Sequence, residues 1–234
     1  MPQSSENERK PASREVFLNN LSQIISSIEV GHPLRVGING IDASGKTMLA
    51  DELITPIEHL GRPVVRASID SFHRPRVERY KRGKDSPEGF YLDSFDNDAL
   101  INHLLAPLGP DGTRQYKSSY FDLEADRPTH APTLIAPDNA ILVVDGIFLF
   151  RPELANYWDL KVFLQIPFDE SLSRAKARDA ALLGSAKDVE ERYQKRYIPG
   201  QQIYLTAANP EVQADIVINN TDYNNPSIVT NKLA

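Results

Sequence analysis

The chain is predicted to be an α/β protein, a parallel sheet of about five strands with helices on both faces. Five short apolar segments, at 34–38, 64–69, 141–144, 160–166 and 215–218, have the β-branched, uninterrupted character of strands buried on both faces. The stretches between them are long enough for helical crossovers, so the strands run parallel and present their carboxyl ends on one rim. The third observation is the segment that joins the first strand to the first crossover. Residues 40–47 read Gly-Ile-Asp-Ala-Ser-Gly-Lys-Thr and satisfy every fixed position of G-x-x-x-x-G-K-[ST].

Taken in order, residues 1–15 are polar and charged, with two prolines, and read as a flexible tail ahead of a single domain over 16–234. Phe17, Leu21, Ile24, Ile25 and Ile28 form a helical stripe ended by Gly31 and Pro33, which fits a helix packed on the sheet. The first strand follows, then residues 40–47. Gly40 and Gly45 let the backbone curl closely around phosphate oxygens, with the N–H groups of Ile41, Asp42, Ala43 and Ser44 turned inward as an anion nest. Lys46 supplies a point charge for the outer phosphates, and the Thr47 hydroxyl suits Mg2+, a hard cation that keeps oxygen ligands and several waters. Met48, Leu49, Leu53, Ile54 and Ile57 recur at helical spacing, so a helix N-terminus points at the phosphates. The fold expected from this motif is the P-loop NTPase fold, and the ligand a nucleoside triphosphate.

The later strands end on polar residues at the same rim. Asp70 closes the second and is the candidate general base, a carboxylate that orients an acceptor hydroxyl and takes its proton late; capping the segment 71–73 is its bland alternative. Asp145 closes Ile-Leu-Val-Val-Asp and has the form of a magnesium-binding strand end. After the fourth strand, a helix over 168–183 carries Arg174 and Arg178 on one face and begins a lid at about 174–196 that can close on the triphosphate. Arg192, Lys195 and Arg196 read as a solvated face. The interval 74–137 is too long for a simple crossover and reads as an acceptor-binding insertion, with a helix near 97–105 and a turn at 110–112. Its basic cluster, Arg74, Arg76, Arg79, Lys81, Arg82 and Lys84, either attracts an anionic acceptor or keeps a loop soluble.

Composition narrows the function. A length of 234 residues with 41% hydrophobic content supports one sizeable core, and a formal charge of −6 argues against a general nucleic-acid binder. The absence of cysteine excludes disulfides, thiolate metal sites and a cysteine nucleophile. No stretch has the roughly 20 apolar residues of a membrane span, so the expectation is a soluble, cytoplasmic protein without membrane or nucleic-acid partners, compatible with a homo-oligomer.

These segments together resemble the uridine kinase family, within the group that includes phosphoribulokinase, bacterial pantothenate kinase and nicotinamide riboside kinase. Beyond residues 40–47, the likeness rests on Ile69-Asp70-Ser71-Phe72-His73, similar to the family's Asp-Ser-Phe-Tyr segment with its catalytic aspartate. Phe90-Tyr91-Leu92-Asp93 resembles the stretch that binds ribose hydroxyls, which assigns that role to Asp93. Val144-Asp145-Gly146-Ile147-Phe148 is similar to the family's Glu-Gly-Ile strand end, and Arg174, Arg178 and Lys187 to its arginine-rich lid, with Lys187 in place of one arginine. Residues 214–220 match the last strand and the turn near adenine. The nucleobase segment departs from the family: of Tyr-Asp-Phe-x-x-His-Ser-Arg only Tyr116 carries over.

The resemblance implies catalytic roles for Asp70, Lys46 and Arg178, donor contacts from residues 40–47, Arg174 and Arg178, acceptor contacts from Asp70, Asp93, Tyr116 and Lys187, and Mg2+ at Thr47 and Asp145. The function expected is phosphoryl transfer from ATP or GTP to the primary hydroxyl of a ribonucleoside, uridine or cytidine first. Another small alcohol (a sugar, sugar phosphate, pantothenate or nicotinamide riboside) is the alternative within the same chemistry. A regulatory P-loop ATPase is the alternative from another class; Asn-Lys-x-Asp, the guanine signature of a switch GTPase, is absent.

Overall fold

A computed structural model describes residues 13–233; the expected tail at 1–12 lies outside the described residues. Helix α1, Ser13–Ser26, begins inside the stretch 1–15 that reads as tail. The earlier start has a physical cause: the Arg14 guanidinium is buried against Glu52 at 2.5 Å, which fixes the first turn. Phe17, Leu21 and Ile25 bury the expected stripe.

Strand β1, Leu34–Gly40, is central and wholly buried. After residues 41–45 the chain enters α2, Lys46–Glu52, and then α3, Ile54–His59, joined at Leu53. Pro56 stands in the first turn of α3, where its missing N–H costs no helical bond, so the single predicted helix becomes two. Strand β2, Val64–Ser68, forms one edge of the sheet, and β3, Ile141–Gly146, lies between it and β1. Strand β4, Leu160–Gln165, flanks β1 on its other side and is followed by β5, Ile216–Asn219.

These five strands are parallel, as the spacing predicts. A sixth, β6 at Ser227–Asn231, adds antiparallel to β5, giving the order β6-β5-β4-β1-β3-β2. The sequence analysis misses β6, although Ile228-Val229-Thr230 is a β-branched run. An edge strand packs little apolar surface, so its pattern is weak.

Alternate residues of one strand face opposite layers. In β3, Ile141 and Val143 join α1, α2 and α3 in one core, whereas Leu142 and Val144 join a second core under the insertion. In that insertion, Pro87–Asp93 forms helix α4, capped where Ser86 Oγ accepts Gly89 N–H at 3.0 Å. A helical turn at Asn97–Leu100 runs on as a wider turn through Leu105, and a short antiparallel pair of 115–116 with 134–135 follows, enclosing a hairpin of 121–122 with 127–128. Helix α5 spans the predicted Phe168–Leu183, and α6, Ala186–Arg192, leads through a wide turn to α7, Ile198–Ala208.

Several cations that read as solvated or ligand-seeking are internal ties. Arg196, predicted on a solvated face, is 3% exposed, donates to Lys84 O at 2.6 Å and stacks over Tyr80 and Phe90. Its flat guanidinium covers apolar rings while its N–H groups satisfy carbonyls of the insertion loop. Arg79 likewise bonds Arg74 O and Asp126, and Arg74 bonds Phe95 O.

One charge lies deep in the sheet. Arg35, 5% exposed in β1, is held by Asp159 through Nε and Nη2, both at 2.9 Å, and Asp159 also accepts the Arg35 backbone N–H at 2.8 Å. Removing one partner of a buried ion pair leaves the other desolvated and unanswered. Asp159→Ala is therefore expected to lower unfolding free energy by about 3 kcal/mol, measured by urea denaturation; a loss under about 1 kcal/mol would contradict this reading of the pair.

Candidate active site

The ends of β1, β2 and β3 and the middle turns of α5 surround a cavity of about 700 Å³ lined by Asp42, Lys46, Thr47, Asp70, Asp145, Arg174 and Arg178 among others. The loop over 40–45 forms its floor because two positions there exclude a side chain. A Cβ on Gly40 would lie 2.7 Å from Leu164 O, and one on Gly45, whose φ is +91°, would meet Asn220 Nδ2 at 2.6 Å. Asn220, buried just beyond β5, donates to Ser44 O at 2.7 Å and pins the loop from the far side. Gln201 of α7 accepts Asp42 N–H at 2.5 Å, and Ser171 of α5 donates to Asp42 O at 2.7 Å. Ser44 N–H bonds Ile41 O at 3.2 Å, so the N–H groups of Asp42 and Ser44, both expected to face phosphate, are held within the protein.

Lys46 is 8% exposed and donates to Ile41 O at 2.7 Å. Burial pushes its pKa down, and Asp42, Asp145 and Asp70 act against that. The acids feel the converse. Burial raises the pKa of Asp42, with Lys46 and Arg178 opposing, and burial together with the charge of Asp145 raises that of Asp70. The site thus concentrates mutually dependent charges in a medium of low polarity, as phosphate chemistry requires.

Asp70 sits in a helical turn, Ile69–Phe72, that is capped by Ser68, whose Oγ accepts Asp70 N–H at 3.3 Å. The capping alternative for Asp70 therefore falls to Ser68, and the Asp70 carboxylate opens into the cavity. Thr47 Oγ1 donates to Asp145 Oδ2 at 2.6 Å, bringing together the two residues assigned to magnesium. Arg66, which the sequence analysis did not single out, lies with Nη1 2.8 Å from Asp145 Oδ1. That N–H is directed instead at Ala67 O, so Oδ1 has a nearby charge but no hydrogen-bond donor. A buried carboxylate oxygen without a donor beside a threonine hydroxyl fits Mg2+, which takes few protein ligands and completes its shell with phosphate and water.

Arg174 bonds Glu170 at 2.7 Å and the carbonyls of Asn220 and Thr221 at 2.9 and 2.8 Å, tying the lid helix to the turn after β5. Arg178 lines the cavity but is held by its neighbour Asp179 through two bonds of 2.6 and 2.8 Å. Three acceptor-side residues lie outside the cavity. Asp93 is buried, with Lys81 at 3.1 Å and Arg82 at 2.8 Å. Tyr116 is 8% exposed because its ring packs in the core under the insertion. Lys187 is exposed in the first turn of α6. Among residues the sequence analysis missed, Tyr223 and Asp179 line the cavity. Asp179 had a signal, its place beside Arg178; Tyr223 had none, because its role depends on the turn after β5.

No protein-family model matches the chain. Uridine-cytidine kinase B of Dictyostelium discoideum is 29% identical over 189 residues, covering 80% of this chain and 74% of that one. A solved structure described as a possible uridine kinase from Bacillus stearothermophilus superposes with a TM-score of 0.69 at 23% identity, covering 87% of this chain and 98% of the other. A candidate fructose transport system kinase from Silicibacter sp. gives the same TM-score at 19% identity over 82% and 95% of the two chains. The last two, at such identities, speak for the fold. Among the described residues no helix is long and apolar enough to cross a membrane.

Lys46→Ala is expected to remove detectable ATP binding in calorimetry while circular dichroism shows the parent fold, with a lowered urea midpoint because Asp42, Asp70 and Asp145 lose a buried counter-charge. Retained ATP affinity would contradict the placement of the phosphates.

With its phosphate loop, the fold it shares with a possible uridine kinase, and its likeness to uridine and uridine-cytidine kinases, the chain is similar to that family and is a phosphotransferase that acts on an alcohol group.

Proposed function

We propose that the enzyme transfers the terminal phosphoryl group of ATP or GTP to the primary hydroxyl of a ribonucleoside, with uridine and cytidine the first acceptors to test. One observation carries the reading: the Asp70 carboxylate opens into the cavity that Lys46, Thr47 and Asp145 also line. An alcohol held there has its proton beside a carboxylate and its oxygen facing the terminal phosphorus.

In this reading the loop N–H groups and Lys46 hold the β and γ phosphates. Thr47 and Asp145 would hold Mg2+, which would supply positive charge at the phosphate oxygens. Asp70 orients the hydroxyl and takes its proton, and the raised pKa of Asp70 makes it a stronger base than an aspartate at its ordinary value. Arg178 stabilises transferring charge once it leaves Asp179, in the manner of a lid arginine. Asp93 keeps its proposed role with acceptor hydroxyls: residues 93–96 run beside 72–74, with Arg74 N–H to Ser94 O at 3.0 Å and Asp96 N–H to Phe72 O at 2.8 Å. Tyr116 and Lys187 have no part in it, one ring being buried in the core and the other side chain lying off the cavity.

A different small alcohol is the second reading. In its favour are the departure of the nucleobase segment from the uridine kinase pattern and a fold shared with a protein described as a fructose transport system kinase candidate. An already phosphorylated acceptor has less support than the sequence suggested, because Arg74, Arg79, Lys81 and Arg82 of the basic cluster are bonded within the insertion.

Incubation with magnesium-ATP and a panel of acceptors tests the choice. Turnover is expected with uridine or cytidine; turnover with sugars alone would overturn the nucleoside reading. Asp70→Asn is expected to lower kcat by about 10²–10⁴ with ATP affinity retained. In the parent enzyme the carboxylate is the active form, so kcat/KM falls as pH drops through its pKa, and the raised value moves that acid limb above the ordinary aspartate range of about 4. An acid limb unchanged in the Asn variant would remove Asp70 from the mechanism.

A further inference from the structure

The sheet order gives the cavity two ends. Asp70 and Asp145 follow β2 and β3 on one side of β1, whereas Arg174 and the turn bearing Tyr223 follow β4 and β5 on the other. A triphosphate bound at 40–47 with its last phosphate toward Asp70 must therefore lead its ribose and base toward Met48, Arg174 and Tyr223. Tyr223 is held at that end by Glu52 and Arg14. Its hydroxyl donates to Glu52 Oε1 at 2.7 Å, and its carbonyl accepts Arg14 Nη1 at 2.6 Å. The Arg14 guanidinium lies 3.7 Å from its ring centroid.

Arg14 in turn bonds Glu52 through Nε at 3.1 Å and Nη2 at 2.5 Å, and neighbouring Ser13 donates to Asn225 at 2.5 Å. Glu52 ends α2, the helix that Lys46 opens. Burial alone would raise its pKa, but the hydrogen bonds of Arg14 and Tyr223 prevail and hold it below the usual range, so the pair stays charged. One face of the tyrosine ring is thus covered by a cation from α1 while the residue borders the cavity.

We propose that Tyr223 is the wall on which the donor's ribose and base rest, and that Arg14 is a positioning residue that makes helix α1 part of the donor-nucleotide site. This rests on the triphosphate half of the function proposed above and is independent of the acceptor. Because Arg14 holds the wall, donor binding and docking of α1 strengthen each other by the same factor. A guanidinium stacked on an aromatic ring contributes about 1 kcal/mol or more when partly desolvated, enough to change affinity several-fold.

Calorimetry on the full chain with a non-hydrolysable ATP analogue and with inorganic tripolyphosphate tests this. Tyr223→Ala and Arg14→Ala are expected to weaken the analogue roughly tenfold and leave tripolyphosphate, which has no base or ribose, unchanged. Arg14→Lys keeps the ion pair without the flat stack and is expected to lose about half of that effect on a logarithmic scale. In kinetics, KM for the donor rises while KM for the acceptor stays unchanged. Analogue affinity within twofold of the parent in Tyr223→Ala, or an equal loss for tripolyphosphate, overturns the proposal. Should Arg14→Ala not fold, hydrogen exchange of the parent protein decides: the donor slows exchange in the first turns of α1, and exchange unaffected by donor overturns the coupling. Failure of the parent to bind tripolyphosphate would instead refute the phosphate site itself.

Discussion

Burial of the Lys46 ammonium is the constraint on which the site depends. A lone buried cation is costly, so the surrounding structure has to answer it with carbonyls and acids until phosphate does so. Ile41 O supplies the direct bond, and Asp42, Asp145 and Asp70 supply charge from three different parts of the chain. Asp42, an acid within a phosphate-binding loop, acquires a physical sense here as one of these counter-charges. Crowding by one another and by the cavity walls keeps Asp42 and Asp70 above the ordinary aspartate pKa. The arrangement is poised for a ligand that brings its own negative charge and a divalent cation.

The loop that carries Lys46 is rigid because distant elements grip it. Asn220 holds Ser44 O, Gln201 holds Asp42 N–H, and Ser171 holds Asp42 O, so β5, α7 and α5 each fix one peptide. Arg174 then joins α5 to the turn after β5. Preorganised N–H groups need little reorganisation when phosphate arrives, which is where electrostatic catalysis gains. Arg178, bound to Asp179, is different: in the proposed reaction its charge would reach the phosphates only after it leaves that carboxylate.

In the insertion, charge is engaged in holding its segments together. Lys81 and Arg82 neutralise buried Asp93, Arg79 ties Asp126, and Arg196 clamps the loop to the segment before α7. A long insertion whose buried residues share the core on one face of the sheet takes its defined shape from such ties as well. This explains why a cluster that looks like an anion trap in the sequence has so little free charge in the fold.

What the sequence determined by itself is local. A phosphate nest needs only consecutive peptides with glycines at two positions, and buried parallel strands need only continuous apolar runs, so residues 40–47, the five parallel strands and the helix over 168–183 were legible. The gathering of Thr47, Asp70 and Asp145 on one rim followed from strand polarity alone. Tertiary structure decided the partner of each charge and ring. Arg66 beside Asp145, Arg14 beneath Tyr223, Arg196 on Phe90 and Tyr116 in the core all join residues remote in the chain. Periodicity reports which face of an element is apolar, but not which distant group arrives to meet a polar one. The weakly patterned edge strand β6 escaped for the same reason, since its place depends on β5 rather than on its own residues.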